Sequence, residues 1–303
     1  MRVPAPFDLD LVVRSHGWYD LPPWRWDPDR RALGRPLLLS SGRAVWAEVR
    51  PSSRAGLAVR VTAEGRPAGA DVAEATAQMR TCLSLDEDLA PFLRRVEELG
   101  DRPEAPALRR ALARGAGRLL RSPTVFEDAV KTLCTTNCSW ALTRSMVGRL
   151  VEELGRPVPG GGRTFPRAED MAARRERFYR DRVRAGYRAP YLVALARAVA
   201  TGEADLESWR SPAIELDDLA LRIRGIAGFG PYATEHLLRL LGRHGGLALD
   251  SWSRKKLARL RGRRGQPSDR TLRRWFEPWR EWAGLAMWLE VTADWHRDAP
   301  TWP

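Results

Sequence analysis

The pattern of apolar and polar positions divides the chain into two regimes, and the first favours strands and turns up to about residue 80. Phe7, Leu9 and Leu11 alternate with aspartates, which is the period of a half-buried strand. The segment LLLSSGRAVWAEVR (37–50) has a Ser-Gly turn between apolar runs, and GLAVRVTA (56–63) alternates again. We therefore predict several short strands in this region.

From Leu83 onward the apolar residues recur at helical spacing. Thr124 and Glu127 have the spacing of a capping box, which predicts a helix start. The apolar face of that helix is formed by Phe126, Val130, Leu133 and Cys134, and the next helix presents Met146, Val147, Leu150, Val151 and Leu154. After a Pro/Gly-rich break at 155–162, helices resume near Met171, Tyr191, Leu216, Thr234, Ser251, Thr271 and Trp282.

Together these regimes predict an α+β fold. A small antiparallel β-rich N-terminal domain, residues 1–82, is expected to pack on a mostly α-helical, two-lobed body, residues 83–303. The C-terminal helix is expected to pack back towards the N-terminal domain.

The composition also shows an excess of basic over acidic residues. The chain has 51 basic and 38 acidic residues, a formal net charge of +13, and lysine occurs only at Lys131, Lys255 and Lys256. Charge of this sign predicts a polyanionic partner, because guanidinium groups match phosphate. A GC-rich genome explains arginine in place of lysine but not the excess over acidic residues. The Arg-rich segment 261–274 is either a loop that contacts a nucleic-acid backbone or an ordinary solvated loop.

Several classes of protein are disfavoured. No run of about 18 apolar residues predicts a membrane span, and the N-terminal segment has aspartates where a signal peptide needs an apolar block. The cysteines are too few for a four-thiolate site, and the histidines are too few to favour a protein metal cage. These residues are Cys82, Cys134, Cys138, His16, His236, His244 and His296. We expect a cytoplasmic protein with reduced cysteines and no side-chain metal site.

The segment LALRIRGIAGFGPYATEHLLRLL (219–241) suggests a phosphate-binding turn. Two helical stretches flank Gly228-Phe229-Gly230, where the backbone can approach another group closely. Pro231 pre-sets the start of the second helix, whose positive dipole end favours an anion. Since Pro231 has no amide hydrogen, the expected donors are Gly228, Gly230 and Tyr232. A tight turn between two helices with no function would show the same pattern.

Twenty residues after Gly230, the segment Leu249-Asp250-Ser251-Trp252 stands at a loop-to-helix transition. GIAGFGPYATEHLL and LALDSWSRKKL together resemble the helix-hairpin-helix, Gly-Pro-rich loop and catalytic aspartate of the helix-hairpin-helix DNA glycosylase superfamily. The resemblance is closest to the 8-oxoguanine branch, through TLCTTNCSWALTRSMVGRLVEELG (132–155), the tetrapeptide Gly-Tyr-Arg-Ala at 186–189, and FEPWREWAGLAMWLEVTADW (276–295). The N-terminal region resembles the β-rich domain shared with the alkylbase (3-methyladenine) glycosylases.

The resemblance implies a monomeric, nucleoid-associated base-excision enzyme whose partner is double-stranded DNA containing a damaged or modified base. Asp250 would stabilise positive charge on the sugar as the base departs. The alternative interpretation of Asp250 is an N-cap of the following helix, and the two are compatible. In relatives the hairpin carbonyls hold a monovalent cation, Na⁺ or K⁺, and that option stays open here. No organic cofactor is implied.

Tyr232 occupies the position of the lysine nucleophile of the family's bifunctional members. A phenol cannot form a Schiff base with deoxyribose, so water is the expected nucleophile and lyase activity is expected to be absent. The remaining lysines are poorly placed to substitute. We predict Lys131 on a polar helix face, and Lys255 and Lys256 beyond Asp250 near phosphates.

Extrusion of a base requires residues that fill the gap and hold the opposite strand. By resemblance, Asn137 fills the gap left by the extruded base, Tyr187 wedges beside the orphaned base, and Arg188 hydrogen-bonds that base. The alternative is that these are ordinary loop residues.

The damaged-base pocket departs from the 8-oxoguanine pattern. The stacking phenylalanine corresponds to Val291, the base-reading glutamine to Met287, a hairpin-helix cysteine to His236, and an arginine for the opposite cytosine to Leu142. The expected pocket is aromatic and apolar: Trp18, Trp24, Trp26, Tyr232, His236, Met287, Trp288 and Val291. Because aromatic faces hold cationic groups, an alkylated purine is the favoured substrate. Two other hypotheses stay open: a glycosylase for a toxin adduct or foreign modified base, and a non-catalytic lesion-binding protein.

Overall fold

The structure is a computed structural model that describes residues 1–52 and 56–295, so His296 lies outside the described residues. The strands are β1 (Arg25–Asp27), β2 (Ala32–Leu38), β3 (Ala44–Pro51) and β4 (Leu57–Thr62). The helices are α1 (Leu9–Val13), α2 (Gly69–Cys82), α3 (Ala90–Glu98), α4 (Ala105–Ala113), α5 (Val125–Thr135), α6 (Trp140–Leu154), α7 (Ala168–Ala172), α8 (Glu176–Phe178), α9 (Ala189–Ala200), α10 (Leu216–Arg224), α11 (Pro231–Leu240), α12 (Ser251–Leu260), α13 (Asp269–Phe276) and α14 (Ala283–Val291). Short 3₁₀ segments occupy Gly17–Asp20, Gly186–Arg188, Glu207–Arg210 and Glu277–Trp282, and a π segment occupies Tyr179–Val183.

The four strands form one antiparallel sheet in the order β1-β2-β3-β4. Leu33 of β2 lies opposite Val49 of β3, and Trp46 of β3 lies opposite Thr62 of β4. Gly42 in the turn between β2 and β3 has a φ of +80°, a conformation that favours glycine. The strands predicted over 37–50 and 56–63 are confirmed, as is the α+β fold.

Two predictions in the N-terminal region are wrong. The alternating run at Phe7 forms the short helix α1, because Asp8 Oδ1 accepts a hydrogen bond from the backbone N–H of Leu11 and caps it. Helical structure also starts earlier than Leu83. Helix α2 already covers Gly69–Cys82, and its buried residues have a helical spacing that was present in the sequence: Asp71, Ala75, Met79 and Cys82.

The buried side chains form two hydrophobic clusters, which give the protein its two-lobed core. One cluster joins the sheet to helices α2, α5, α6, α9 and α11, with Val49, Leu133 and Leu237 among its members. The other joins α3, α4, α12, α13 and α14, and it also takes in Leu11 of α1. The helices predicted near Met171, Tyr191, Leu216, Thr234, Ser251, Thr271 and Trp282 are confirmed, although α14 begins one residue after Trp282.

A buried cluster of charges connects the sheet to helix α5. Arg35 of β2 contacts Glu127 at 2.7 Å, and Lys131 contacts the same carboxylate at 2.6 Å. The Trp24 ring covers the Arg35 guanidinium at 4.6 Å. Lys131 is therefore fully buried, and its predicted place on a polar helix face is wrong. The predicted capping box is one-sided: Thr124 caps α5, whereas the Glu127 side chain turns to the two cations.

We predict that Glu127→Gln destabilises the protein by about 3–5 kcal/mol, because two buried cations then lack their counter-charge. The measurement is the free energy of unfolding in urea. Glu152→Gln is the matched control: this side chain is 76% exposed on α6, so its replacement is expected to change stability by less than about 0.5 kcal/mol. Equal effects of the two substitutions would contradict a structural role for the buried cluster.

Candidate active site

The segment between α10 and α11 forms the predicted hairpin. Gly228 has a φ of +92°, and a Cβ there would lie 2.7 Å from the Tyr191 ring and 2.9 Å from Leu133, so only glycine fits. The Phe229 N–H donates to the carbonyl of Ile226 and closes the turn. Within the described residues, the N–H groups of Gly228 and Gly230 donate to no protein acceptor. They are free to bind an external group at the N-terminal end of α11.

The hairpin forms one wall of a groove of about 1160 Å³. Residues 225–233 line one side, and residues 135–138 with Tyr187 line another. Asp250 and the arginines Arg224 and Arg254 also border the groove. The groove therefore combines unpaired amides with positive side chains and a carboxylate.

Asp250 is the N-cap residue of α12, as one of its two predicted interpretations requires. Its Oδ1 accepts a hydrogen bond from the Ser253 N–H at 2.7 Å, and its own N–H donates to Ser253 Oγ at 3.0 Å. The reciprocal pair fixes the side-chain rotamer. No hydrogen bond in the described part of the chain reaches Asp250 Oδ2. One carboxylate oxygen thus caps the helix, and the other is available to the site.

A second cavity of about 670 Å³ lies behind the groove, and Asp250 and Tyr232 line both spaces. Tyr232 and His236 stack with ring centres 5.9 Å apart, and Trp18 lies 5.0 Å from His236. We call this space the aromatic cavity. It is lined by His16, Gly17, Trp18, Tyr19, Asp20, Thr135, Cys138, Trp140, Thr143, Arg144, Tyr232, His236, Asp250, Ser251, Trp252, Trp288 and Trp295.

Three tryptophans also line the aromatic cavity, one on α12, one on α14 and one in the turn that follows α14. Trp252 of α12 lies 6.1 Å from Trp288 of α14, and Trp295 lies 5.7 Å from Trp252. The buried Arg239 guanidinium sits 5.0 Å from the Trp288 ring centre. Trp288 Nε1 donates to the carbonyl of Ser15 at 2.8 Å, which fixes the ring against the N-terminal segment.

Among the tryptophans of the cavity, sequence reasoning missed Trp140, Trp252 and Trp295. Trp252 carried a usable signal, because it stands two positions after Asp250 in the first turn of a helix that the sequence predicts. Trp140 and Trp295 carried none, since their places in the wall depend on contacts distant in sequence. Trp140, for example, donates to Asp20 Oδ2 at 2.7 Å across 120 residues.

Burial keeps two histidines and one tyrosine of the aromatic cavity neutral. It lowers the pKa of His16 to about 3 and lowers the pKa of His236 well below its ordinary value. Burial, and next the nearby charge of Asp250, raise the pKa of Tyr232 to about 12. At neutral pH both imidazoles are uncharged and Tyr232 is a phenol.

The predicted intercalating residues lie together at the rim of the groove. Asn137 is exposed with a φ of +45°, and its Nδ2 lies 3.4 Å from the hydroxyl of the half-exposed Tyr187. Arg188 behaves differently. It is buried, donates to the Thr136 carbonyl, and lies 4.5 Å from the Tyr187 ring centre. Its contact with an orphaned base stays a prediction, and in this structure Arg188 packs against the Tyr187 ring.

Part of the predicted base pocket is also corrected. Met287 and Val291 are fully buried in the second core cluster and do not line the aromatic cavity, because their side of α14 packs inward. Trp24 and Trp26 line a neighbouring groove instead. Leu142 is exposed on α6 and borders neither space. Tyr232, His236, Trp288 and Trp18 remain at the cavity.

The three lysines lie outside the groove and the aromatic cavity. Lys131 is fully buried beside Glu127, and Lys256 pairs with Asp294 at 2.7 Å. Lys255 is exposed on α12. No lysine amine is therefore positioned beside Asp250.

Two other kinds of feature are absent from residues 1–52 and 56–295. No helix there is long and apolar enough to cross a lipid bilayer. No group of three or more His, Cys, Asp or Glu side chains converges as metal ligands in the same residues.

Comparisons with known proteins identify the fold. No family model matches the chain, and no curated protein matches it in sequence. The 3-methyladenine DNA glycosylase of Archaeoglobus fulgidus aligns over 97% of both chains, with a TM-score of 0.75 and 18% identity. The 8-oxoguanine glycosylase/lyase of Clostridium acetobutylicum, in complex with double-stranded DNA containing cytosine opposite 8-oxoG, aligns over 95% of this chain and 91% of its own, with a TM-score of 0.69 and 16% identity.

A smaller relative matches only part of the chain. The 3-methyladenine DNA glycosylase of Schizosaccharomyces pombe, in complex with abasic DNA, covers 66% of this chain and 95% of its own, with a TM-score of 0.52 and 18% identity. These matches show that the chain has the fold common to these DNA glycosylases. The superfamily resemblance predicted from the sequence is confirmed at the level of the fold.

The low pKa of His16 predicts a loss of stability in mild acid. The folded pKa is about 3 against an ordinary 6.5, so below about pH 6.5 the unfolded chain binds a proton that the folded protein excludes. Between about pH 7 and pH 5 this costs about 2 kcal/mol of the free energy of unfolding. His16→Gln, whose amide can still donate to the Leu120 carbonyl, should remove that loss. Parallel urea titrations of both proteins are the measurement, and identical pH profiles would contradict the assignment.

Proposed function

We propose that the protein is a monofunctional DNA glycosylase that extrudes a damaged or modified base and hydrolyses its N-glycosidic bond, with alkylated purines as the favoured substrates. One observation carries the proposal. Asp250 stands where the amide-presenting hairpin groove meets the aromatic cavity, so one carboxylate borders both a backbone-binding surface and a base-sized space. The fold shared with DNA glycosylases supports it further.

The hairpin groove would hold the phosphate backbone. The free N–H groups of Gly228 and Gly230 stand at the positive end of α11, a setting that favours phosphate oxygens. Arg224 and Arg254 border the same groove, and the formal charge of +13 attracts a polyanion from a distance. Asn137 and Tyr187 project from the rim, where they would occupy the space vacated by the extruded nucleotide.

The chemistry would centre on Asp250. As the bond between C1′ and the base nitrogen breaks, its electron pair leaves with the base and positive charge develops on the sugar. The Asp250 carboxylate, fixed through Oδ1 by Ser253, would stabilise that charge through Oδ2. A water molecule then attacks C1′ and transfers a proton to the carboxylate or to solvent, which leaves an abasic site.

The aromatic cavity favours a cationic base. Electron-rich ring faces attract positive charge, and the neutral state of His16 and His236 adds no positive charge to the guanidinium groups of Arg144 and Arg239. A purine alkylated at a ring nitrogen carries such a charge and has a weakened bond to the sugar. Modest electrostatic assistance from Asp250 is sufficient for that class of substrate.

We expect Asp250→Asn to abolish excision while the protein stays folded. Asparagine caps helices as well as aspartate does, so helix α12 should persist, but the negative charge near the sugar is lost. The rate of abasic-site formation on duplexes bearing single lesions should fall by a factor of about 10² or more, with duplex affinity retained.

The matched control for this variant is Asp8→Asn, because Asp8 is also an N-cap aspartate and lies on α1. Its excision rate should equal that of the wild type. If Asp250→Asn instead excises bases normally, Asp250 is only a helix cap and the mechanism is wrong. If the wild type binds lesion duplexes without cleaving any, the protein is a lesion-binding protein.

Borohydride trapping tests the monofunctional assignment. Since no lysine lines the groove or the aromatic cavity, reduction during turnover should leave no covalent protein–DNA adduct. Denaturing gel electrophoresis of labelled duplex is the readout, with a known glycosylase/lyase as the positive control. A trapped adduct would refute water as the nucleophile.

A further inference from the structure

The aromatic cavity is larger than the substrate that its chemistry first suggests. A methylated purine has about eleven non-hydrogen atoms, and at the roughly 30 Å³ that a water molecule takes in the liquid it fills no more than about 330 Å³. The cavity measures about 670 Å³. A methylated base would therefore leave about half of this space to other atoms.

A second groove lies next to the aromatic cavity and shares part of its lining. It measures about 640 Å³ and is lined by Tyr19, Asp20, Pro22, Trp24, Trp26, Ala141, Arg144 and Ser145. Tyr19, Asp20 and Arg144 line both spaces. We call this space the side groove. The tryptophans that the sequence placed at the base pocket, Trp24 and Trp26, belong to it.

Two polar contacts lie in the wall that the two spaces share. Asp20 Oδ2 lies 3.4 Å from Arg144 Nε, and their side chains are 36% and 55% exposed. Solvent screens such a pair, so it contributes little and yields readily to a bound group. Trp140 completes the partition through its hydrogen bond to the same carboxylate oxygen.

The position of Trp140 depends on the small size of Gly17. A Cβ at Gly17 would lie 2.5 Å from the Trp140 ring, so glycine allows this indole to lie flat against the wall of the cavity. Beside the polar groups of Asp20, Arg144 and Ser145, the side groove offers the apolar and aromatic surface of Pro22, Trp24, Trp26 and Ala141. That surface suits an apolar or aromatic substituent better than a charged one.

On these grounds we infer that the substrates are purines carrying a bulky N-alkyl or N-arylalkyl substituent, with the base in the aromatic cavity and the substituent in the side groove. This inference rests on the proposed glycosylase function and narrows its substrate class. Both spaces are built from described residues, and the wall that they share at Tyr19, Asp20 and Arg144 carries the argument.

The test compares two lesions of equal charge and different size, N7-methylguanine and N7-benzylguanine, each placed once in the same duplex. Single-turnover excision rates are measured after subtraction of spontaneous depurination. The wild type should excise the benzyl lesion at least as fast as the methyl lesion. Ala141→Trp, which adds an indole at an exposed helix position facing the side groove, should slow benzyl excision at least tenfold and change methyl excision less than twofold.

Two further variants complete the design. Ser145→Phe, one turn along α6, fills the same groove and should repeat the selective loss. Glu152→Trp adds the same indole to an exposed position of α6 that borders neither space, and both rates should stay at the wild-type level. Thermal unfolding of each variant checks that it is folded.

The possible outcomes separate the inference from the function on which it rests. Excision of the methyl lesion alone by the wild type overturns the bulky-substrate inference and leaves the glycosylase function standing. Equal slowing of both lesions by Ala141→Trp, or slowing of neither, also overturns it. Excision of neither lesion by the wild type removes the proposed alkylpurine activity and the inference together.

Discussion

The hydrogen-bonded pair of Asp250 and Ser253 is the local constraint on which the candidate site depends. The two bonds close the first turn of α12 and hold one carboxylate oxygen, so the other cannot rotate away from the shared wall of the groove and the cavity. A free aspartate on a loop would lose this orientation to rotamer entropy. Asp250 therefore caps helix α12 through Oδ1 and leaves Oδ2 facing the site. The helix-cap interpretation and the proposed catalytic interpretation are compatible with this one geometry.

The position of the aromatic cavity follows from the division of the core into two clusters. Tyr232 and His236 project from α11 in the first lobe, whereas Trp252 and Trp288 project from α12 and α14 in the second. The aromatic cavity therefore needs lining residues from both lobes. The bond from Trp288 to Ser15 and the buried cluster around Glu127 tie the N-terminal segment and the sheet to the helical body. The shape of the cavity therefore depends on contacts between segments that are distant in sequence.

The sequence predicted those features whose causes are local. The alternation of β3 and β4, the hairpin at Gly228 and the placement of Asp250 before a helix all depend on neighbours within a few residues. The wrong predictions concern side chains whose environment is set by distant contacts. Lys131 is buried because Arg35 and Glu127 share its site. The predicted places of Met287 and Val291 in the base pocket are wrong for the same reason, because tertiary packing decides the orientation of α14. The fold was accessible from patterns and resemblance, whereas only part of the cavity lining was.

In the proposed mechanism, one set of groups assists binding of the base and another assists cleavage of its bond to the sugar. In an N-alkylated purine the positive charge begins on the base and moves to the sugar as the glycosidic bond breaks. In the proposed mechanism, the ring face of Trp252 would attract the charge at the start of that path and so strengthen binding of the ground state. Asp250 would gain its interaction as the charge reaches the sugar, and only such an increase accelerates the reaction. A cavity that binds a base through its charge and its surface area, without a fixed pattern of hydrogen-bond donors, would tolerate large changes in the alkyl substituent. Selectivity would then arise from the ease with which each base departs.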